Sequence, residues 1–220
     1  MFKGHKFPKS IIIQAVYFKF RFGLSYREIE ELMAIIGVKV DHATLQRWGF
    51  KFTPLLEKEF RKRKKCVGRR WRMDETYIKV KGQWRYLYRA VDKEGNTVDF
   101  LLTKRRKRMS AQSFLIKAIE NNGKPELINI DKSGSNKHAI RVFNKRTYSK
   151  IKVRQCKYLN NIVEQDHRFI KKRIVQCLGF KEFESARRTL SGIEMVHMIR
   201  KEQFISNRTS LFKSFYSLAS

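Results

Sequence analysis

The amino-acid sequence predicts an α/β fold, with a mixed central sheet flanked by helices and preceded by an all-α segment. Two observations support this prediction. Over roughly the first 60 residues apolar side chains recur at the helical period of about 3.6, and from Trp71 the period falls to about 2. Beyond the strands, helical stretches alternate with a short apolar strand, an order typical of domains built from layers of helix and sheet.

Two helices are predicted before residue 40. Pro8 precedes the first, Ser10 is its expected N-terminal cap, and Gly23 stands where a C-terminal cap belongs. The second helix should begin at a capping box formed by Ser25 and Glu28, in which each residue satisfies an amide donor of the other.

A third helix is predicted from Asp41, a suitable N-terminal cap, to a position before Pro54, which should end it. Trp48 lies at helical spacing from other apolar residues and is expected in the core. Helix, glycine-containing turn and helix is the pattern of a helix-turn-helix, although most three-helix patterns are only packing units. The pattern alone therefore leaves DNA binding open.

The second part of the chain is predicted to begin with an antiparallel meander, because three alternating apolar segments are separated by turns. An amphipathic helix should follow from Ser110 to Gly123. The predicted strands cover residues 72–80, 84–91, 97–102, 127–130 and 151–153, and further helices are expected at 136–144 and from about Asn161 onward.

These patterns divide the chain into three segments. Residues 1–60 form the helical helix-turn-helix domain, residues 61–70 a basic linker, and residues 71–220 the sheet domain together with the C-terminal helices. A chain of 220 residues is long enough for one small and one medium domain.

The charge balance indicates a polyanionic partner. The chain has 50 lysine and arginine residues against 20 aspartate and glutamate residues, a formal net charge of +30 at pH 7. Nucleic acid and anionic membrane are the common polyanions that neutralise such charge. No apolar stretch of the sequence reaches the length of a membrane span, so nucleic acid is favoured and no membrane partner is expected. A surplus of surface lysine is the alternative explanation.

The three cysteines, Cys66, Cys156 and Cys177, form no C-x-x-C pair and are odd in number. Neither a disulfide framework nor a zinc module is therefore predicted, and a reducing cytosol suits them.

If the polyanion is DNA, the second and third predicted helices would form the helix-turn-helix motif. The third helix, as the second of that pair, would then enter the major groove. Its exposed polar side chains, with one from the helix before it, could then bond base edges or phosphates. These candidate DNA-binding residues are Arg27, His42, Thr44, Gln46 and Arg47.

Three acidic residues stand out in a chain that has few. Asp74 lies within the first predicted strand, Asp131 directly follows the apolar strand, and Glu164 lies in the first turn of the long helix. Converging carboxylates could hold one or two divalent cations, and oxygen ligands suit the Mg²⁺ or Mn²⁺ of phosphodiester chemistry. Each acid could instead have a purely structural role: Asp74 could pair with an arginine, Asp131 could cap a turn, and Glu164 could stabilise the start of a helix.

Around these residues the chain resembles the DDE transposases of bacterial insertion sequences, and more closely the group called the insertion sequence six family. The matching stretches keep their order over nearly the whole chain. They are LSYREIEELM at 24–33, GVKVDHATLQRW at 37–48, WRMDETYIKVKGQWRYLYRAVDKEGNTVDFLL at 71–102, KYLNNIVEQDHRFIKKRI at 157–174 and LGFKEFESARRTLSGIEMVHMIRK at 178–201.

The resemblance implies an RNase H-like core in which Asp74 and Asp131 are the metal-binding aspartates and Glu164 is the third acid. Lys171, seven residues further on, would be the basic residue that contacts DNA. It also implies an enzyme that binds the terminal inverted repeats of its element, cleaves DNA there and joins the freed end to target DNA, giving cointegrates. This activity would use Mg²⁺ or Mn²⁺, in two ions.

The same resemblance implies further properties of the protein. Because two DNA ends must be held together, a homodimer or a larger assembly on double-stranded DNA is expected. No small-molecule substrate is expected. The implied location is the bacterial cytoplasm, in association with the nucleoid.

Two alternatives stay open. A DNA-binding protein that occupies element ends without catalysis would keep the helical segment but would not need the three acids. An RNA-binding or ribosomal protein would explain the charge alone. At the third acid, Asp166 is the rival of Glu164, since it lies two residues further along the same helix.

Overall fold

The computed structural model describes residues 2–131, 134–156, 158–176, 179–206 and 210–219. The helices within these ranges are α1 (Lys9–Phe22), α2 (Tyr26–Ile35), α3 (His42–Lys62), α4 (Arg108–Asn122), α5 (Gly134–Thr147), α6 (Asn161–Gln176), α7 (Phe183–Arg200) and α8 (Leu211–Tyr216). The strands are β1 (Arg70–Val80), β2 (Gln83–Asp92), β3 (Thr97–Thr103), β4 (Leu127–Ile130) and β5 (Lys152–Gln155).

Contacts divide the chain into two compact units. The first comprises Met1–Lys65 and Lys172–Ser220, and the second comprises Cys66–Lys171. Among the described helices, none is long and apolar enough to cross a membrane. Cys66 and Cys156 are free thiols, and Cys177 lies outside the described residues.

The sheet of the second unit has the strand order β3-β2-β1-β4-β5. β1, β2 and β3 are antiparallel neighbours, whereas β4 and β5 run parallel to β1. Apolar residues of α4 and α5 pack on one face of this sheet against Trp71, Met73 and Ile128. A meander followed by parallel strands, with helices on the sheet, is the predicted RNase H-like arrangement, and the predicted fold class is confirmed.

The start of α6 lies on the opposite face of the sheet. Because side chains alternate along a strand, Asp74 and its cross-strand neighbour Arg89 point away from the face of Met73. Arg89 contacts Asp166 and Asp74 contacts His167, and both partners belong to α6.

In the first unit the C-terminal helix α7 packs against α1 and α3. A Cβ atom on Gly192 would come within 2.4 Å of the Phe20 ring, so glycine permits the close approach of α7 to α1. The Ser191 hydroxyl donates a hydrogen bond to the Glu57 carboxylate of α3. These C-terminal helices were predicted to belong to the sheet domain, whereas the contacts group them with the N-terminal helices.

The segment predicted as a basic linker is only partly irregular. α3 extends to Lys62, Lys64 forms an antiparallel bridge with Phe204, and the Lys65 amide donates to the Gln203 carbonyl at 2.9 Å. At the other end Arg70 already belongs to β1. Residues 61–65 are therefore part of the first unit.

The predicted end of the third helix at Pro54 is wrong. Proline has no amide hydrogen, so the Phe50 carbonyl loses its usual helical donor. The Arg188 guanidinium of α7 donates to this carbonyl instead and lies 3.5 Å from the centre of the Phe50 ring. Because a distant side chain supplies the missing donor, α3 continues through the proline.

The predicted helix starts are confirmed in two of three cases. The capping box is formed, since the Ser25 hydroxyl accepts from the Glu28 amide and the Glu28 carboxylate accepts from the Ser25 amide. Asp41 caps α3 by accepting from the amide of residue 44 at 2.9 Å. The first helix differs, because α1 begins at Lys9 after Pro8 rather than after Ser10, and no side chain caps it.

Candidate functional site

The two aspartates of the predicted triad lie on neighbouring parallel strands. β1 and β4 pair in a register that places Arg72 beside Asn129. Two residues further along each strand come Asp74 and Asp131, the latter directly after the end of β4. Neighbouring strands are about 4.8 Å apart, so the register brings both carboxylates to one place on the sheet.

Glu164 lies in the first turn of α6, and the segment before this helix is fixed to the sheet. The Arg72 guanidinium donates to the Leu159 carbonyl at 2.8 Å, and the Asn129 side-chain amide donates to the Asn160 side-chain oxygen at 2.7 Å. These bonds determine where α6 begins. Glu164 itself is exposed.

The electrostatics of Asp74 connect the three acids. Burial raises the pKa of Asp74 from 3.8 to about 7. A hydrogen bond from the Glu75 amide opposes this rise, whereas the charges of Glu75, Asp131 and Glu164 add to it. Asp131 and Glu164 are thus within electrostatic reach of Asp74.

The three acids nevertheless do not form a ready-made cage. Within the described ranges, no three His, Cys, Asp or Glu side chains are grouped closely enough to hold a metal ion. Neighbouring carboxylates are suited to a hard divalent cation, because the cation removes the repulsion between their charges. The donor chemistry therefore fits Mg²⁺ or Mn²⁺ once the side chains draw together.

His167, which was not predicted from the sequence, lies beside Asp74 in the structure. It follows Glu164 by three positions on α6, and its Nδ1 lies 3.7 Å from Oδ2 of Asp74. Burial and the charge of Arg89 lower the pKa of His167 to about 3, so the imidazole is neutral. Its Nε2 is buried without a hydrogen-bond partner in the described part of the chain. The E-x-x-H spacing was the signal available in the sequence.

Asp166, the rival third acid, has a different role. Its Oδ2 lies 2.7 Å from the Arg89 guanidinium, which is fully buried, and 3.5 Å from the Thr97 hydroxyl. Asp166 therefore balances a buried positive charge and ties α6 to β2. Because Asp166 has this partner, Glu164 stays the predicted third acid.

Lys171 lies two helical turns after Glu164 on α6 and is exposed. Its charge is among those that lower the pKa of His167. The residue is therefore near the predicted site, with its ammonium group accessible from solvent.

The N-terminal candidate residues occupy α2 and the start of α3. Arg27, His42, Gln46 and Arg47 are exposed. His42 has a partner, since its Nδ1 lies 2.8 Å from a Glu30 carboxylate oxygen.

Thr44 is half-buried and serves the cap of α3 rather than the exposed face. Its hydroxyl donates to the Asp41 carboxylate at 2.7 Å and accepts from the Arg47 guanidinium at 2.7 Å. On the same helix, Gln46 and Arg47 line a cavity of about 460 Å³ together with Phe50 of α3.

Comparisons with known proteins identify the family to which the chain belongs. Residues 68–203 match a family described as a DDE domain, and residues 5–124 match the Transposase IS66 family. The chain is 40% identical over 211 residues to the transposase for insertion sequence element IS257 in transposon Tn4003 of Staphylococcus aureus, covering 96% of this chain and 91% of that protein.

It has the same identity and coverage with the transposase for the insertion sequence-like element IS431mec of Staphylococcus aureus strain Mu50 / ATCC 700699. Among solved structures, the HTLV-2 integrase catalytic core domain in complex with magnesium is similar with a TM-score of 0.48 and 20% identity, covering 60% of this chain and 86% of that one. By its family matches and its curated relatives, the chain belongs to the DDE transposases of insertion sequences.

Proposed function

We propose that this transposase binds the terminal inverted repeats of its element, cleaves DNA there and joins the freed 3′ hydroxyl to target DNA. The observation that carries the proposal is the register of β1 and β4, which brings Asp74 and Asp131 to one place on the sheet. In a chain of net charge +30, the charges of Asp131 and Glu164 help to raise the pKa of Asp74, whereas Asp166 has an arginine partner. A protein that only bound DNA would gain nothing from acids held against phosphate.

Asp74, Asp131 and Glu164 would hold one or two Mg²⁺ or Mn²⁺ ions, which when bound activate the attacking oxygen and stabilise the leaving one. The chain supplies position and charge. Neutral His167 beside Asp74 adds no positive charge that would compete with a cation. Lys171 would meet a DNA phosphate, because an ammonium group cannot ligate a cation.

Recognition of the element ends is proposed for the exposed face of α3, with Arg27 of α2 beside it. His42, Gln46 and Arg47 would contact bases or phosphates, and a homodimer or larger assembly would hold the two ends together. Thr44 would act indirectly, by fixing the start of α3 and the Arg47 side chain.

The test of the catalytic assignment is a set of charge-neutral substitutions. Asp74→Asn, Asp131→Asn and Glu164→Gln should each abolish Mg²⁺-dependent strand transfer while affinity for the repeat, measured in Ca²⁺, is kept. Glu120→Gln, which changes an exposed acid of α4, is the matched control and should remain active. Strand transfer retained by a triad variant would refute that assignment. A wild-type chain that binds the repeat but never cleaves would favour the non-catalytic alternative.

Recognition is tested by competition between repeat and scrambled duplexes at two salt concentrations. Replacing Gln46 and Arg47 together by alanine should cost about 1 to 3 kcal/mol of discrimination per lost base contact, with a smaller loss of nonspecific affinity. Lys58→Ala changes an exposed lysine further along α3 and should lower both affinities alike. Unchanged preference in the double variant would assign these helices to packing or dimerisation.

A further inference from the structure

Three aromatic side chains, Tyr77, Trp84 and Tyr86, form a row on one face of the hairpin made by β1 and β2. Tyr77 and Tyr86 pair directly across the strands with ring centroids 5.4 Å apart, and the Trp84 ring lies 6.3 Å from Tyr77. The interplanar angles are 66° and 79°, so the rings meet edge to face rather than covering each other. Tyr77 is 43% exposed and Trp84 is 56% exposed.

Positive charge borders the aromatic row at both ends. The Lys79 ammonium lies 5.0 Å from the centre of the Trp84 ring. Toward the other end, Arg106 forms an ion pair with the buried carboxylate of Glu75, on the same face of β1 as Tyr77, and its charge interacts with Tyr77. Because Arg106 neutralises Glu75, the negative charge nearest to the row is balanced.

Arg106 belongs to a basic loop, residues 104–107, whose backbone is held in place. The Arg85 guanidinium donates to the Lys104 carbonyl at 3.2 Å, and the Ser110 hydroxyl donates to the Arg105 carbonyl at 2.8 Å. The loop therefore presents its exposed cations beside the row in a defined position.

We propose that the aromatic row binds an unpaired segment of a DNA strand, with bases stacked on its rings and phosphates near Lys79 and the exposed cations of the basic loop. Exposed aromatic rings between cations suit single strands, because every base has a π face and the backbone carries the charge. Bases in a duplex are stacked on one another, so a duplex would meet the cations but not the ring faces. This inference rests on the DNA substrate proposed above, but not on the assignment of the three acids.

Tryptophan fluorescence gives a direct measurement on the full chain. Of the three tryptophans, Trp48 and Trp71 are 4% and 2% exposed, so Trp84 is the one that a ligand can reach. The protein would be titrated without divalent metal with an oligothymidylate strand and with a duplex carrying the same number of phosphates. The strand should quench the Trp84 emission, and Trp84→Phe, which keeps an aromatic ring, should keep most of the strand affinity measured by anisotropy.

Removing the rings separates stacking from charge. Trp84→Leu and Tyr77→Leu should each lower the affinity for the strand about tenfold, while duplex affinity changes less than about twofold. The control is Tyr148→Leu, which removes a 94% exposed ring outside the row and should change neither affinity. Circular dichroism would verify that all variants fold.

Two outcomes would overturn this inference without affecting the proposed function. The first is an equal loss of affinity for strand and duplex in the ring variants. The second is a changed monomer–dimer equilibrium of Trp84→Leu with unaltered strand affinity, which would assign the row to contact with a second copy of the chain. Absence of binding to either DNA would overturn the proposed DNA substrate as well.

Discussion

Replacing Asp74 by asparagine should stabilise the metal-free protein above pH 7. In the folded chain the Asp74 pKa is raised from 3.8 to about 7, so the folded state holds this proton over a pH range in which the unfolded state has released it. The stability that the protonated group contributes is therefore present below about pH 4 and is lost as the pH rises through 7. Asparagine never carries the charge and avoids this loss.

The magnitude follows from the pKa. One pKa unit is about 1.4 kcal/mol, and a rise from 3.8 to about 7 corresponds to about 4 kcal/mol. Because 16% of the side chain is exposed and keeps part of its hydration, the desolvation cost is smaller than for a fully buried group. We expect the Asp74→Asn variant to gain about 2 to 4 kcal/mol in free energy of unfolding at pH 8, and little at pH 4.

The assay is urea unfolding of both proteins at pH 4 and pH 8, with and without Mg²⁺. Mg²⁺ should stabilise the wild type at pH 8 but not the variant. A ligand that binds only the folded state adds about 2.7 kcal/mol to the free energy of unfolding at a hundred times its Kd. Asp92→Asn is the control, and its free energy of unfolding should change in the opposite direction. The Asp92 carboxylate accepts hydrogen bonds from the backbone amides of Gly68 and Glu94, so loss of its charge should destabilise the folded chain. A less stable Asp74→Asn variant at pH 8, or equal stabilisation by Mg²⁺, would refute the reasoning.

Three further predictions concern neighbouring features. Asp166→Asn should lower the free energy of unfolding by about 3 to 5 kcal/mol, because it leaves the buried Arg89 charge without its carboxylate; a loss under about 1 kcal/mol would show that the pair does not hold α6. Gly49→Ala should change the free energy of unfolding by less than about 1 kcal/mol, because the new Cβ would lie 2.5 Å from the Tyr26 hydroxyl, and this contact offsets the roughly 1 kcal/mol that alanine gains over glycine within a helix. The Tyr26→Phe background should remove this contact, and denaturation of both would detect the change. Lys171→Ala should weaken binding to the element end in an anisotropy titration while Mn²⁺ binding by calorimetry is unchanged, and a loss confined to Mn²⁺ binding would contradict the phosphate role.

Much of the fold could be predicted because its signals are local. The alternation of apolar residues predicted β1, β2 and β3 to within two residues at each end, and the run at 127–130 predicted β4. The capping box at Ser25 and the cap at Asp41 formed as predicted, since each bond joins residues three positions apart.

The candidate site could be predicted only in part. The resemblance identified Asp74, Asp131 and Glu164, and their roles stay predictions until the triad variants are measured. The sequence left Asp166 open as a rival. It did not point to His167, because a histidine three positions after an acid on a helix is common, and only the packing of α6 on β1 brings its ring to Asp74.

The sequence by itself determined the features that depend on neighbours along the chain: strand periodicity, helix caps, the basic charge and the order of the acids. Only the tertiary structure decided that α3 continues past Pro54, that Asp166 is bound by Arg89, and that α7 packs with the N-terminal helices. Each of these depends on a partner tens of residues away. The missing donor at Pro54 comes from Arg188 and the balancing charge of Asp166 from Arg89, and a local pattern cannot show which distant group will satisfy a buried donor, acceptor or charge.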